Sequence, residues 1–199
     1  VFDKPDPLEG PFFEETIYVT PPESEVDEDR LTGRVTEAVT ALGLTDGPIH
    51  AECRFNDSGV FVLEVAARPV GGLCSKALRF TGPAGGDVSL ETLLLRHALG
   101  EPMGPYRREP CASGVMMIPI PREGLYKRVT GLDEARTVPG VDEVVITAKV
   151  DQRLLPVPEG ATYLGFIFAR AERPDDAVWA LRAAHQRLEF EIESSIPVI

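Results

Sequence analysis

The stretch from His50 to Gly72, HAECRFNDSGVFVLEVAARPVGG, constrains this chain more than any other. Two runs of strand composition, about 49–56 and 60–66, flank Asp57-Ser58-Gly59. Such runs on either side of a short Asp- and Gly-bearing turn predict an antiparallel hairpin. Each run carries one carboxylate, Glu52 and Glu64, and Arg68 follows the second acid. A charge at a core-facing strand position is costly unless it is paired or holds a metal. Folding the hairpin allows both acids to point from one sheet face into one pocket.

The rest of the chain is organised around this unit. Residues 12–20 (FFEETIYVT) have strand composition and stop at Pro21-Pro22. Ser24 and Asp27 form a capping-box-like start to a helix. Its apolar positions Leu31, Val35, Ala38, Val39 and Leu42 recur at helical spacing, and Gly43 and Gly47-Pro48 end it. Beyond Gly71-Gly72 and a Gly/Pro loop, Ser89 caps a short helix, LETLLLRHAL, closed by Gly100. From Cys111 onward, ASGVMMIPIP reads as a strand, LDEARTV as a short helix, and DEVVITAKV and ATYLGFIFARA as strands. The tail from Pro174 to Ile192 reads as a long helix with a Val178, Leu181, Ala184, Leu188, Ile192 stripe. The expectation is an α+β fold. An antiparallel sheet with packed helices spans 1–105, and a small β-α-β-β-α unit spans 111–199.

Composition narrows the function. A net charge of −12 with no basic stripe argues against nucleic acid or an anionic membrane as partner. Cys53, Cys74 and Cys111 are an odd number at irregular spacing, so neither a disulfide framework nor a zinc site is indicated. No apolar run approaches the ~20 residues that span a bilayer. Reduced thiols in a cytoplasmic protein are the expectation. The chain opens without Met on a Pro- and acid-rich loop, which reads as a piece of a longer polypeptide.

Two carboxylates at close quarters repel, and a divalent cation between them relieves that. Mg²⁺ is typically held by one or two protein carboxylates together with phosphate oxygens and water. A phosphate-bearing ligand would also account for Arg68, whose planar fork suits an oxyanion, and for Gly71-Gly72, which allow close backbone approach. Two exposed glutamates and a surface arginine on a hairpin satisfy the same spacing, because strands alternate faces. His50 shares the strand face of Glu52 and reads either as a contact to phosphate or substrate carboxylate or as a pocket histidine without chemistry. His97 and His185 fall within expected helices. Cys53 alternates with Glu52 into the packed layer, and Cys74 lacks a base to activate it. Met116, Met117 and Trp179 read as core. No GxxxxGK phosphate loop is present.

The residues E-C-R-F…F-V-L-E-V-A-A-R-P-V-G-G resemble the C-terminal half of the ATP-grasp fold, in which two acids on neighbouring strands hold Mg²⁺ under the ATP phosphates. Many members carry Asn two positions after the second acid, where this chain has Ala66. The E-x-A-A-R form over Glu64–Arg68 is similar instead to the L-amino-acid ligases, the dipeptide-forming branch. The resemblance extends upstream through DKPDPLEGPFFEETIYVTP. There it implies that Glu15 helps to surround a substrate amine, while Tyr18 stands where those ligases carry His. ASGVMMIPIPREG and YLGFIFARAE resemble the C-terminal extension of such ligases.

The resemblance implies a carboxylate–amine ligase working with ATP and Mg²⁺, with Mn²⁺ as a substitute. Glu52 and Glu64 would hold the metal, and Arg68 would steady the transferring phosphoryl group. Glu15, His50, Gly71 and Gly72 would meet substrate. Partners would be ATP, a small carboxylate and an amine, with homodimerisation compatible. The lysine-bearing strand pair and the adenine-side residues of that fold cannot be placed in this chain, which implies half of an active site that does not turn over ATP alone. The alternatives are an ATP-grasp carboxylase of the biotin-carboxylase type and a non-catalytic binding or assembly module.

Overall fold

The computed structural model describes residues 1–6, 16–22, 27–157 and 159–194. In chain order the first elements are β1 (Ile17–Thr20), α1 (Glu28–Ala41), β2 (His50–Asn56), β3 (Gly59–Ala66), β4 (Arg79–Thr81), β5 (Asp87–Ser89), α2 (Leu90–Ala98) and β6 (Arg107–Arg108). They are followed by β7 (Ala112–Ile118), β8 (Gly124–Thr130), α3 (Leu132–Arg136), β9 (Val141–Ile146), β10 (Arg153–Leu154), β11 (Gly165–Ala171), α4 (Pro174–His185) and β12 (Glu189–Glu193). One 3₁₀ turn, Cys74–Ala77, links β3 to β4. No helix among the described residues is long and apolar enough to cross a membrane.

Two compact units result. Residues 24–110 form one, and residues 2–23 with 111–199 form the other. The division expected between 1–105 and 111–199 is therefore crossed by residues 2–23. An edge strand needs a partner for its backbone groups, and β1 finds it in β7, with Ile17 opposite Met116 and Thr20 opposite Ser113. Ile17 and Val19 are buried in the second unit's core.

In the first unit, α1 starts at Glu28 with Asp27 as its N-cap, whose carboxylate accepts from the Arg30 N–H at 3.0 Å. Ser24, the other half of the expected capping box, lies outside the described residues. Of the expected stripe, Leu31, Val35, Ala38 and Val39 are only half-buried, against β3, and Leu42 is exposed. The predicted hairpin forms with a tighter turn than Asp57-Ser58-Gly59: Asn56 pairs with Gly59, and the Ser58 N–H donates to Asn56 Oδ1 at 2.9 Å. Ser89 caps α2 as expected, accepting from the Thr92 N–H at 3.2 Å.

The second unit holds the core. A four-stranded antiparallel sheet, order β1-β7-β11-β9, accompanies a three-stranded one, order β10-β8-β12. Strand β7 is buried along its whole length, which explains its unbroken run of small and apolar residues. Helix α4 begins with Pro174, where a missing N–H costs nothing. It buries Ala177, Val178, Ala180, Leu181 and Ala184. The expected helix to Ile192 ends early, at His185. Beyond it Leu188, Phe190 and Ile192 alternate with Glu189, Glu191 and Glu193, a period of two that suits a strand. That strand is β12, paired with β8 and burying Ile192.

Gly131 opens α3 with φ +80°, and a Cβ there would overlap the Arg187 carbonyl oxygen. Urea denaturation should show Gly131→Ala losing about 2–4 kcal/mol. Gly33→Ala, at a helical position with nothing within 4 Å of a new methyl, should gain about 0.5–1 kcal/mol; matching effects would contradict the described packing. Burial also pushes the His185 imidazole below its ordinary pKa. The unfolded chain then binds a proton there at higher pH than the native chain. This contribution to stability is full above about pH 6.5 and is lost as pH falls toward the depressed native value. His185→Gln should flatten the decline in stability measured from about pH 7 to pH 5.

Candidate active site

The β2–β3 hairpin positions the two acids. From Asn56↔Gly59 up to Cys53↔Val62 the pairing is regular, and it then shifts so that Glu52 faces Glu64, Ala51 faces Val65 and His50 faces Ala66. Leu63 is the extra residue of this β-bulge. Directly opposed residues share a face with Cβ atoms about 4.5–5.5 Å apart. His50, Glu52 and Glu64 therefore project from one side of the hairpin, and Cys53 from the other.

Like charges directly opposite each other on a sheet are destabilising, and each acid here has a nitrogen near it. Arg68 Nη2 lies 3.9 Å from Glu64 Oε1, and His50 Nε2 lies 3.7 Å from Glu52 Oε1. Arg68 returns over the hairpin because its N–H donates to the Ala66 carbonyl at 2.9 Å, a tight reversal immediately after the strand. Its Nη1 donates to the Pro69 carbonyl at 3.0 Å. Glu64 and Arg68 each keep about half of their side-chain surface open, at 53%, so a ligand can reach both. Glu52 is less open, and His50 is largely enclosed. His50 Nδ1 is buried without a hydrogen-bond partner among the described residues.

The Gly pair follows at once. A methyl built on Gly71 would stand 3.9 Å from Arg68 Nη1, and Gly72 takes φ +61°. The next turn, Cys74–Ala77, is tied to α2 by Glu91. A hydrogen bond from Ser75 chiefly, then one from its own backbone N–H, with smaller help from Ser89 and Lys76, holds the Glu91 carboxyl below its ordinary range. Sequence reading missed this anchor, although the Ser89 cap two residues earlier was legible. Glu15 lies outside the described residues.

Among the described residues, no group of three or more His, Cys, Asp or Glu could hold a metal unaided. Two carboxylates with a guanidinium beside them fit Mg²⁺, a hard cation that takes few protein ligands and completes its shell with phosphate oxygens and water. Both donors are oxygen, and the nearest thiol points to the opposite face.

Residues 1–77 match the ATP-grasp domain family model, and residues 116–193 match that of the L-amino acid ligase C-terminal domain 2. The chain is similar in structure to the L-amino acid ligase from Bacillus licheniformis, at 26% identity and a TM-score of 0.79, over 94% of this chain and 46% of that one. It shares its fold with phosphoribosylglycinamide synthetase from Anaerococcus prevotii, at 15% identity and a TM-score of 0.65, over 89% of this chain and 45% of that one. The same holds for biotin carboxylase from Campylobacter jejuni, at 14% identity and a TM-score of 0.60, over 90% and 40%. In sequence it is 23% identical to the uncharacterized protein y4rH of Sinorhizobium fredii, over 86% of this chain and 35% of that protein. The resemblance read from the sequence is borne out: models of the ATP-grasp domain and of the L-amino acid ligase C-terminal domain match two parts of the chain, and an L-amino acid ligase is among the structures that it is similar to. The chain spans about a third to a half of the length of these relatives.

Cys53, on the opposite face, senses the charge of its neighbour Glu52. Burial first, and the Glu52 charge second, push its thiol above the ordinary value. Glu52→Gln removes the second cause, so more thiolate forms at a given pH. Alkylation of Cys53, followed peptide by peptide at about pH 8, should run about two- to fivefold faster in that variant. An unchanged rate would mean that the Glu52 charge does not reach the Cys53 thiol.

Proposed function

We propose that the complete protein is an ATP-dependent carboxylate–amine ligase that joins a carboxylate to an amine through an acyl phosphate. The observation that carries this reading is the opposition of Glu52 and Glu64 on one hairpin face with Arg68 against the second acid. Glu52 and Glu64 hold Mg²⁺, for which Mn²⁺ can substitute; bound Mg-ATP supplies the phosphoryl group and the positive charge that the acid pair lacks.

Arg68 does the work at the carboxylate end. Its guanidinium already stands beside Glu64 and is half open to solvent, so a preorganised cation meets the oxyanion. Gly71 leaves room beside the guanidinium where a side chain would crowd an incoming carboxylate. His50 borders the same face behind Glu52 and contacts substrate from there, and Gly72 lets the backbone approach it. Glu15 receives the amine, as in the ligases that the sequence resembles. The chain spans less than half of the ligase structure that it matches, so the reading gives it the metal side of the site and leaves ATP turnover to the complete protein. Cytoplasmic residence and a homodimer belong to the same proposal.

In the full-length protein, Glu64→Gln should lower ATP-dependent ligation about 10²-fold or more, as the loss of a preorganised charge at a phosphoryl-transfer site does. Cys53→Ala, on the opposite face, should stay within about threefold of the parent. ADP release would be followed with pairs of amino acids and, separately, with bicarbonate plus biotin. Equal, mild losses in both variants, or turnover with bicarbonate and biotin alone, would sink the ligase reading.

A further inference from the structure

Trp179 is the single tryptophan of the chain. It reads as core from the sequence, yet the structure leaves it 57% exposed on α4. The helix explains why. Ala177, Val178, Ala180, Leu181 and Ala184 are the buried residues of α4. At 3.6 residues per turn they occupy one side, and Trp179 falls at the middle of the opposite side. The indole therefore points directly away from the core. Tryptophan carries one of the largest apolar surfaces of any side chain, and at protein interfaces it is enriched and supplies much of the binding energy.

The neighbours on that side are charged, and their order matters. Asp175 stands one turn before Trp179 and Arg182 about one turn after it, and all three are exposed. This ridge reads acid, aromatic, base at i, i+4 and i+7. A second copy of the helix laid antiparallel against it reads base, aromatic, acid. A two-fold axis at Trp179 would bring each Arg182 opposite the Asp175 of the other copy, with the two indoles in contact between them. Ala183, small and half-buried beside the tryptophan, leaves room for the opposing ring. A parallel copy in the same register would set like charges together. Arg182 is already oriented for this role: its Nη2 donates to Asp6 Oδ1 at 2.8 Å, and half of its side chain remains open. Asp175 meets Arg173 at 3.4 Å. Exposed ion pairs of this kind contribute little, so they do not compete with a pair enclosed by an interface.

We propose that the exposed side of α4 is a homodimer interface, in which Trp179 packs against its counterpart in a second copy while Asp175 and Arg182 set the antiparallel direction. The inference gives a surface to the homodimer included in the proposed function and does not depend on the ligase chemistry. The twelve residues of α4 make a helix about 18 Å long. That is a small patch beside the roughly 800 Å² per partner of stable complexes, so the dimer dissociates in the micromolar range.

The test is sedimentation velocity on the full-length protein at concentrations spanning that range. The parent should pass from monomer to dimer. Trp179→Ala should weaken association about thirtyfold or more. Arg182→Glu sets two acids opposite each other at both ends of the contact and should weaken it about tenfold or more. Asp175→Arg combined with Arg182→Glu restores opposite charges in reversed order, and should return the dissociation constant to within about threefold of the parent. Loss of the Asp6 contact is common to the single and double variants, so this rescue separates an interface from a local structural effect. A dimer equally strong in all three variants has its contact elsewhere. A parent that stays monomeric has this side of α4 either bare or covered by another part of the polypeptide. Either result would overturn the proposal. ADP release by the same samples reads the ligase chemistry separately.

Discussion

Two carboxylates facing each other across a hairpin are the constraint on which the rest of the site depends. At cross-strand separation their repulsion is not cancelled by the sheet itself. The arrangement persists because the hairpin face is partly open to water, where like charges are screened, and because a nitrogen stands near each acid. Those compensations are loose: distances of 3.7 and 3.9 Å are ion-pair range without hydrogen-bond contact. The pair is therefore not locked by these two contacts.

The backbone around the pair is stiffer than the side chains that it presents. A reversal at Ala66–Arg68 returns the guanidinium to the hairpin, and a second reversal at Gly71–Cys74 follows after Pro69. Glu91 then ties the end of that path to α2. Each device is short and local, so the distances among Glu64, Arg68 and Gly71 follow from about ten residues of chain. The unit that carries them buries few large side chains, whereas the unit built on β7, β11 and α4 has a continuous apolar core. The candidate site and the larger apolar core thus fall in different parts of one chain.

Several of these features were legible in the residues. The hairpin follows from two β-rich runs around a turn, the start of α2 from Ser89, and the start of α4 from Pro174. Local chemistry decides each of them, and local chemistry is what a sequence displays. The pairing of β1 with β7 was not legible, since nothing in IYVT names a partner almost a hundred residues away. The tail misled for another reason. Leu188 and Ile192 fit a helical stripe as well as a strand, and the cross-strand partner β8 decided between them.

What the sequence by itself determined is the inventory: a hairpin, two acids in it, an arginine after it, and glycines beside that arginine. Which way the acids point was a tertiary decision. The turn closes on two residues, Asp57 and Ser58. Continued without interruption, that register would oppose Glu52 to Leu63 and turn Glu64 to the other face. Side chains alternate with a period of two, so a slip of one residue exchanges the faces. The bulge at Leu63 takes up that one residue and sets Glu64 opposite Glu52. The spacing of twelve positions is compatible with either outcome, and only the folded hairpin selects between them.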